Sequence, residues 1–354
     1  MKNIKNITGS EGLMSNYTPK KVLITGGAGF IGCNFVRYLL KTDPDIEVLV
    51  LDLLTYAGNE ENLEELKDSK RFTFVKGDIR DPEIVDSVMK KVDTVAHFAA
   101  ESHVDRSILS AQDFISTNIY GTYVLLQSAL KHKIKRFINI STDEVYGSIP
   151  EGEADETFPL KPSSPYSASK AGQDHIAYSH SVTFNLPVIT TRSTNNFGPY
   201  QYPEKMIPLF ITRALENKPL PVYGDGLQIR DWTYVEDNCE AIFHVLLEGK
   251  IGEIYNIGSG NQLTNLELTK KILNALGKPE TLITYVEDRK GHDRRYSVSC
   301  KKVKKLGWNP RHSFEESLQQ TIAWYQTHQN WWGKIIQKQE SYQEFFSTYY
   351  KTKV

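Results

Sequence analysis

The sequence has few cysteines and no excess of charge of either sign. Its 354 residues include three cysteines, Cys33, Cys239 and Cys300, and no two of them stand at the spacing of a metal-binding pair. We therefore expect neither a disulfide framework nor a metal site. The 42 Lys and Arg residues against 43 Asp and Glu residues give a formal net charge of -1. Without a global basic field to hold a phosphate backbone, the chain is not expected to bind nucleic acid.

Long hydrophobic runs are also missing. The longest apolar stretch, around residues 48–54, is interrupted by Asp52 and is far shorter than the roughly 20 residues that span a bilayer. The region near the first residue contains no apolar segment of the kind found in secretory signals. The composition, 40% hydrophobic and 24% charged, is that of a folded globular protein. We expect a cytoplasmic protein that does not associate with membranes.

Short apolar runs alternate with helical patterns through the first part of the chain. The runs are continuous rather than alternating, which is typical of parallel strands buried on both faces; they lie at 22–25, 47–51, 72–75, 94–98, 136–140 and 187–191. This order predicts an α/β fold, a Rossmann-type doubly wound parallel sheet, over residues 21–196. Prolines cluster after residue 196, and the later strand and helix patterns predict a smaller C-terminal α+β lobe over 197–354. We expect later segments to return to the first domain, and the polar residues 1–20 to form a flexible tail.

A glycine-rich turn follows the first predicted strand and opens a helix. Gly26, Gly29 and Gly32 fit the GxxGxxG spacing, and glycine permits both a tight turn and the close approach of a pyrophosphate. The helix N-terminus that follows offers free N–H groups to an anion. Asp52 ends the second strand and is suited to bind ribose hydroxyls, which favours NAD over NADP. In isolation the motif also marks ordinary turns, but its position at the first strand–helix junction favours dinucleotide binding.

Further residues complete the predicted NAD site. The segment Gly77-Asp78-Ile79 follows the third strand and either covers the adenine side or is a simple turn. The full set of residues predicted at the cofactor is Gly26, Gly29, Phe30, Ile31, Gly32, Asp52, Asp78, Ile79, Ala99, Tyr166 and Lys170.

Tyr166 and Lys170 stand four residues apart, on one face of a predicted helix. A nearby ammonium and a positive nicotinamide both favour the phenolate form of a tyrosine. Such a tyrosine can remove a proton from a hydroxyl while hydride leaves the same carbon. The pair alone is more typical of an amphipathic helix with a surface lysine. Its position downstream of a dinucleotide turn and a fifth parallel strand favours catalysis.

Thr142, Asp143 and Glu144 follow the fifth strand, and doubly wound folds bind their ligands at the C-terminal ends of strands. Adjacent carboxylates repel, so one of the two is expected to keep its proton near neutrality while the other stays ionised. The two carboxyls therefore predict an acid and a base. The alternative is that Asp143 caps a turn and Glu144 is solvated.

Together these motifs resemble the extended short-chain dehydrogenase/reductase superfamily, on the segments 26–32, 99–107, 141–147 and 166–170. Later segments resemble the dTDP-glucose 4,6-dehydratases within it: 195–200, 203–205, 223–226, 229–232 and 291–296. The triplet Thr142-Asp143-Glu144 is the most specific signal, because the related epimerases lack the paired acids.

The resemblance implies a reaction and a set of roles. Tyr166, assisted by Thr142 and Lys170, takes the C4 hydroxyl proton of a nucleotide-linked glucose while NAD accepts the C4 hydride. Glu144 then removes the C5 proton, and Asp143 protonates the departing C6 hydroxyl. The product is a 4-keto-6-deoxy sugar nucleotide. The resemblance also implies a homodimer joined through the helices near 119–132 and 167–184.

A nucleoside diphosphate requires basic partners, best supplied by arginine. Lys205, Arg230, Arg289 and Arg294 are candidates in the C-terminal part. By resemblance to the family, the predicted substrate contacts are Ser102, Thr142, Asn195, Lys205, Pro221, Tyr223, Arg230, Asn265, Arg289, His292 and Tyr296.

Three positions depart from the family pattern. Leu53 stands where a lysine is common, Lys290 where a proline is usual, and Phe197 where a tyrosine is frequent. They leave open a UDP-glucose or UDP-N-acetylglucosamine 4,6-dehydratase in place of an enzyme for dTDP-glucose. A nucleotide-sugar 4-epimerase and a non-catalytic NAD-binding regulator are further alternatives.

Overall fold

A computed structural model describes residues 17–338, 340 and 342 of the chain. Its strands are β1 (Lys21–Thr25), β2 (Glu47–Asp52), β3 (Phe72–Lys76), β4 (Thr94–His97), β5 (Arg136–Thr142), β6 (Val188–Ser193), β7 (Asn195–Phe197), β8 (Leu220–Tyr223), β9 (Ile229–Tyr234), β10 (Ile254–Ile257), β11 (Gln262–Thr264) and β12 (Ile283–Val286). Its helices are α1 (Phe30–Thr42), α2 (Pro82–Met89), α3 (Val104–Leu109), α4 (Gln112–Phe114), α5 (Thr122–Lys131), α6 (Pro165–Phe184), α7 (Met206–Leu215), α8 (Val235–Glu248), α9 (Asn265–Ala275), α10 (Lys301–Lys304), α11 (Phe314–Thr327) and α12 (Gln329–Lys338).

A seven-stranded sheet of parallel pairs is the centre of the fold, in the order β10-β6-β5-β4-β1-β2-β3. Buried side chains of α1 and α8 pack on one face, among them Phe35 and Ile242. Those of α2, α5 and α6 pack on the other, among them Val85 and Leu125. Because both faces are covered, the strands are apolar throughout, and the predicted fold class is confirmed. The strand order reverses between β1 and β4, which opens a crevice at their C-terminal ends.

The chain after residue 196 contributes to two parts of the molecule. Strands β7, β9 and β11 form one small sheet, and β8 and β12 form another. Helices α7, α9 and α11 surround a separate apolar core that includes Ile207, Leu268 and Leu318. Strand β10 instead joins the large sheet beside β6, and α8 packs on α1. Asn195 of β7 and Arg230 of β9 line one cavity together with Glu144, which follows the C-terminal end of β5.

The expected N-terminal tail and the expected lack of membrane association can each be compared with the structure. Residues 1–16 of the predicted tail lie outside the described residues, whereas the Tyr17 ring lies 4.5 Å from the Arg136 guanidinium. No helix within the described ranges combines the length and the apolar character that crossing a membrane requires.

Candidate active site

The glycine turn between β1 and α1 leaves no room for side chains. Gly26 has a φ of +70°, and a Cβ there would lie 2.6 Å from the backbone nitrogen of Ala99. A Cβ on Gly32 would lie 2.2 Å from the carbonyl oxygen of Gly26. Gly29 caps α1 without a side chain, so the helix N-terminus is open. This geometry suits the close approach of a pyrophosphate to the backbone.

Asp52 is held rigidly at the end of β2. Its Oδ2 accepts a hydrogen bond from Ala28 N at 2.9 Å, and its Oδ1 accepts one from Leu54 N at 2.8 Å. Burial raises the pKa of the carboxyl above its usual value, and the two backbone donors oppose that rise. The carboxyl lines the same crevice as the glycine turn, as a ribose-binding group must.

A cavity of about 530 Å³ runs from the glycine turn to the end of β5. Every residue predicted at the cofactor lines it: Gly26, Gly29, Phe30, Ile31, Gly32, Asp52, Asp78, Ile79, Ala99, Tyr166 and Lys170. Asp78 also pairs with Arg80, at 2.7 Å between Oδ2 and Nη2.

The C-terminal end of β5 and the first turn of α6 bring the predicted acid–base groups together. The Thr142 side chain caps a short 3₁₀ turn by accepting a hydrogen bond from Glu144 N at 3.2 Å. Its hydroxyl donates to Asp143 Oδ1 at 3.2 Å. Tyr166 lies in the first turn of α6, and its phenol interacts with the Thr142 hydroxyl. All four side chains line the cavity.

Lys170 is buried, and its ammonium donates hydrogen bonds to acceptors on β5 and α6. Nζ donates to the Ile140 carbonyl at 2.7 Å and to Gln173 Oε1 at 2.5 Å. Burial lowers the pKa of Lys170 to about 8, against the opposing charge of Asp174. Burial also raises the pKa of Tyr166 well above its usual value, as do the neighbouring carboxyls. In the protein alone the tyrosine is therefore neutral, and the predicted phenolate requires further positive charge.

The two adjacent carboxyls have different surroundings. Burial, followed by the charge of Glu144, raises the pKa of Asp143 well above its usual value. Burial also raises the pKa of Glu144, but Arg230, Lys205 and Arg289 oppose that rise. Asp143 is thus the carboxyl whose surroundings favour the protonated form, and Glu144 is the one that the surrounding cations favour as a carboxylate.

A second cavity of about 160 Å³ opens between the central sheet and the C-terminal lobe. The predicted substrate contacts other than Thr142 line it: Ser102, Asn195, Lys205, Pro221, Tyr223, Arg230, Asn265, Arg289, His292 and Tyr296. It meets the first cavity at Glu144, among other residues. The fourth candidate cation, Arg294, lies outside both cavities and pairs with Asp225 at 2.9 Å.

Arg230 is fixed in place at the wall of this second cavity. Its guanidinium lies 4.0 Å from the centroid of the Tyr296 ring, and its Nη2 donates to the Asp293 carbonyl at 2.9 Å. The Tyr296 hydroxyl donates to Asp293 Oδ2 at 2.8 Å. A rigid, partly stacked arginine of this kind suits the recognition of a diphosphate.

Asp105 and Gln173 contact predicted site residues but are not themselves predicted from the sequence. Asp105 is 2% exposed; its Oδ1 lies 3.6 Å from Arg289 Nη1, and its Oδ2 accepts from the Tyr223 hydroxyl at 3.3 Å. A carboxyl beside a site predicted to bind an anion is unexpected from the sequence. The contacts of Asp105 with Arg289 and Tyr223 account for it. Gln173 holds Lys170, and its position three residues after that lysine on α6 was the available signal.

Comparison with known proteins agrees with this geometry. A family model described as GDP-mannose 4,6 dehydratase matches residues 23–321. The low-salt glycan biosynthesis protein Agl12 of Haloferax volcanii is 56% identical over 304 residues, which cover 86% of this chain and 98% of that protein. A dTDP-glucose 4,6-dehydratase of an Actinoplanes species is 50% identical over 318 residues, covering 88% and 99%.

Solved structures show the same relationship. The crystal structure of DesIV, a dTDP-glucose 4,6-dehydratase from Streptomyces venezuelae with NAD and dTDP bound, matches with a TM-score of 0.88 and 49% identity, covering 89% of this chain and 99% of that one. A UDP-glucose 4-epimerase of Thermus thermophilus in complex with NAD matches less closely, with a TM-score of 0.81 and 32% identity, covering 87% and 99%. The family predicted from the sequence is confirmed: the chain belongs to the dTDP-glucose 4,6-dehydratases.

Proposed function

We propose that the protein converts dTDP-glucose into water and dTDP-4-keto-6-deoxy-glucose, as an NAD-dependent hydro-lyase. The observation that carries this proposal is the carboxyl pair of buried Asp143 and half-buried Glu144 beside Tyr166, with Glu144 at the junction of the two cavities. An epimerase moves hydride to and from C4 alone and has no use for a second acid and base. A non-catalytic NAD-binding regulator would need neither an acid nor a base.

The residues of the glycine turn fit NAD. Gly26, Gly29 and Gly32 leave the backbone and the N-terminus of α1 open to a pyrophosphate, and Asp52 is oriented toward ribose hydroxyls. When bound, NAD supplies a hydride acceptor that takes hydride from C4 and returns it at C6. Its positive ring also provides the charge that favours the Tyr166 phenolate.

The chain's own groups move the protons. Tyr166 Oη takes the proton of the C4 hydroxyl, and the resulting ketone acidifies the hydrogen at C5. The Glu144 carboxylate removes that proton, and the Asp143 carboxyl protonates the C6 hydroxyl so that it leaves as water. The raised pKa of Asp143 provides the acid in its protonated form at neutral pH. Lys170, whose ammonium is oriented by Gln173, supports Tyr166.

The second cavity binds the nucleotide. Lys205, Arg230 and Arg289 neutralise the diphosphate, and Pro221 and Tyr223 flank the base. The Lys205 ammonium donates to the Ser102 carbonyl at 2.8 Å, which fixes the lysine near the glucosyl end. The remaining proposed contacts, Asn195, Asn265, His292 and Tyr296, complete the wall of the cavity.

The enzyme is proposed to be a homodimer. The helical segment that runs from Ile115–Gly121 into α5, together with α6, presents an outer face on which Tyr120, Tyr123, Tyr178, Val182 and Phe184 are each at least 42% exposed. Two copies of this face bury it in a four-helix contact, which removes an exposed patch of a kind that is rare on monomers. Since NAD and nucleotide sugars are cytoplasmic metabolites, we assign the enzyme to the cytoplasm.

The test is mass spectrometry of the purified protein after separate incubation with dTDP-glucose, UDP-glucose and UDP-N-acetylglucosamine. We expect dTDP-glucose to lose the mass of one water without added NAD, because the cofactor is regenerated in each turnover. Loss of water from a UDP sugar alone would keep the reaction and change the substrate. Unchanged mass with all three substrates would contradict the proposal.

A further inference from the structure

The dehydration leaves two catalytic groups in the wrong protonation state. This inference rests on the proposed function. Tyr166 gains the proton of the C4 hydroxyl, and Asp143 gives a proton to the departing C6 hydroxyl. The proton that Glu144 removes from C5 is matched by the one added back at C5, and the hydride lost from C4 is regained at C6. One turnover therefore ends with one proton too many on Tyr166 and one too few on Asp143.

The hydroxyl of Thr142 bonds Asp143, and its residue lines the same cavity as Tyr166. Oγ1 donates to Asp143 Oδ1 at 3.2 Å and interacts with the Tyr166 phenol. Thr142 and Tyr166 are each 9% exposed and Asp143 is 2% exposed, so bulk water reaches them only through the cavity that they line. Asp143 Oδ2 is buried and has no hydrogen-bond partner among the described residues. One carboxyl oxygen thus contacts Thr142, while the other is left for the substrate.

We propose that Thr142 returns the proton from Tyr166 to Asp143 at the end of each turnover. The Thr142 hydroxyl gives its hydrogen to Asp143 Oδ1 as the Tyr166 phenol gives its own to Thr142 Oγ1. Two O–H bonds break, two form, and no electrons are transferred. Tyr166 becomes a phenolate and Asp143 a neutral acid, which are the forms required for the next substrate.

Electrostatics around Asp143 favours the arrival of a proton there. An ionised Asp143 beside an ionised Glu144 places two buried negative charges on adjacent residues, and protonation of Asp143 removes that repulsion. The charges of Asp143 and Glu144 are also among the causes that raise the pKa of Tyr166. A proton that moves to Asp143 therefore makes the phenolate easier to form.

The test compares first and later turnovers in Thr142→Val, which keeps the shape and removes the hydroxyl. Rapid-quench measurement of dehydrated product per active site gives both rates. Because Thr142 also assists Tyr166, the first turnover slows; we expect later turnovers to slow by about a further tenfold or more, as on loss of a proton-transfer group. Imidazole, a small proton carrier, should restore the later turnovers. Thr142→Ser keeps a hydroxyl and should keep the wild-type ratio of first to later turnovers, with no response to imidazole.

Thr191→Val is the matched control. Thr191 is a fully buried threonine on the neighbouring strand β6, outside both cavities, and its Oγ1 has no hydrogen-bond partner in the described part of the chain. The same change there should leave the ratio of first to later turnovers unaltered. If Thr142→Val fails to fold by circular dichroism, Thr142→Ala removes the same hydroxyl without added bulk, and the same ratio is measured.

Two results would overturn the relay. One is equal slowing of first and later turnovers in the hydroxyl-free variant, and the other is later turnovers that do not respond to imidazole. Failure of the proposed function is seen separately, as the absence of dehydrated product from the wild-type protein in its first turnover.

Discussion

At the scale of single residues, function depends on carboxyls of similar chemistry with different neighbours. Asp143 and Glu144 are adjacent in the sequence, yet Arg230 is the cation that acts to lower the pKa of Asp143, whereas Arg230, Lys205 and Arg289 all act to lower that of Glu144. The triplet itself predicts an acid and a base, but which is which depends on Arg230, Lys205 and Arg289. Asp105 could not be predicted from the residues around it, because its partners Arg289 and Tyr223 come from distant parts of the chain.

Replacement of Glu144 by glutamine should separate oxidation from elimination. The amide cannot remove the C5 proton, whereas the groups that act at C4 remain. We expect product formation to fall by about a hundredfold or more, the range for loss of a general base, while reduced NAD accumulates at 340 nm, roughly its absorbance maximum. Full dehydration by Glu144→Gln would falsify the assignment of this base.

Asp143 should set the alkaline limit of activity. Its pKa is raised, so the acid is present at neutral pH and is lost as the pH rises through that raised value. Asp143→Asn cannot ionise, and we expect its residual activity to lack this alkaline decline while water loss slows more than C4 oxidation. The measurement is the pH dependence of kcat for both proteins. An identical alkaline decline in the variant would assign it to another group.

Asp105→Asn should weaken nucleotide binding more than it slows chemistry. Without the carboxylate, Arg289 and Tyr223 lose a common partner that orients them. We expect KM and the Kd for dTDP to rise about tenfold, equivalent to roughly 1.4 kcal/mol, with kcat nearly unchanged.

The control for this change is Asp237→Asn. Asp237 is an equally buried carboxyl that accepts from the backbone nitrogens of Arg311 and His312, and it lies outside both cavities. A loss of dTDP affinity in the control as large as that in Asp105→Asn would show that the effect is not specific to the site.

At the scale of elements, periodicity predicts the central strands to within a few residues, whereas long helices such as α7 and α8 are not predicted. Local irregularity is also missed. The chain from α4 to α5 is continuous and contains a π-helical turn at Ile115–Gly121, which the apolar pattern does not reveal. Asn118 in this turn donates to Ser169 Oγ at 2.8 Å and also bonds the backbone of Glu101. The irregular turn thus links α6, which carries Tyr166, to the loop after β4.

His97 joins three elements and should make stability sensitive to acid. Its ring nitrogens bond Thr25 Oγ1 of β1 at 2.7 Å and Thr122 Oγ1 of α5 at 2.8 Å. Burial lowers its pKa from 6.5 to about 3, so the folded protein holds it neutral. The stability that this provides is present above pH 6.5, the value in the unfolded chain, and is lost as the pH falls toward 3.

The variant His97→Gln tests this dependence by denaturant unfolding at pH 7.5 and at pH 5.0. Between these values we expect the wild-type protein to lose on the order of 2 kcal/mol more than the variant, because the unfolded histidine binds a proton that the folded one does not. Equal losses in the two proteins would show that another group is responsible.

At the scale of the whole molecule, the two parts of the chain are joined across the site itself. Arg106 on α3 pairs with Glu204 at 3.0 Å, next to the contact between Lys205 and Ser102. At the other side, Trp331 on α12 donates to Asn62 Oδ1 at 2.8 Å. The sequence predicts a sheet domain, a C-terminal lobe and a return of the chain to the sheet. The contacts between the two parts join residues far apart in the chain, so only the fold reveals them.

The central claim is that hydride moves from C4 to C6 as water is lost, and one measurement tests it most directly. The protein is incubated with dTDP-glucose that carries deuterium at C4, and the product is examined by mass spectrometry and NMR. We predict a product one water lighter than the substrate, with the deuterium at C6. Deuterium retained at C4 in a sugar of unchanged mass would indicate epimerisation and would contradict the account.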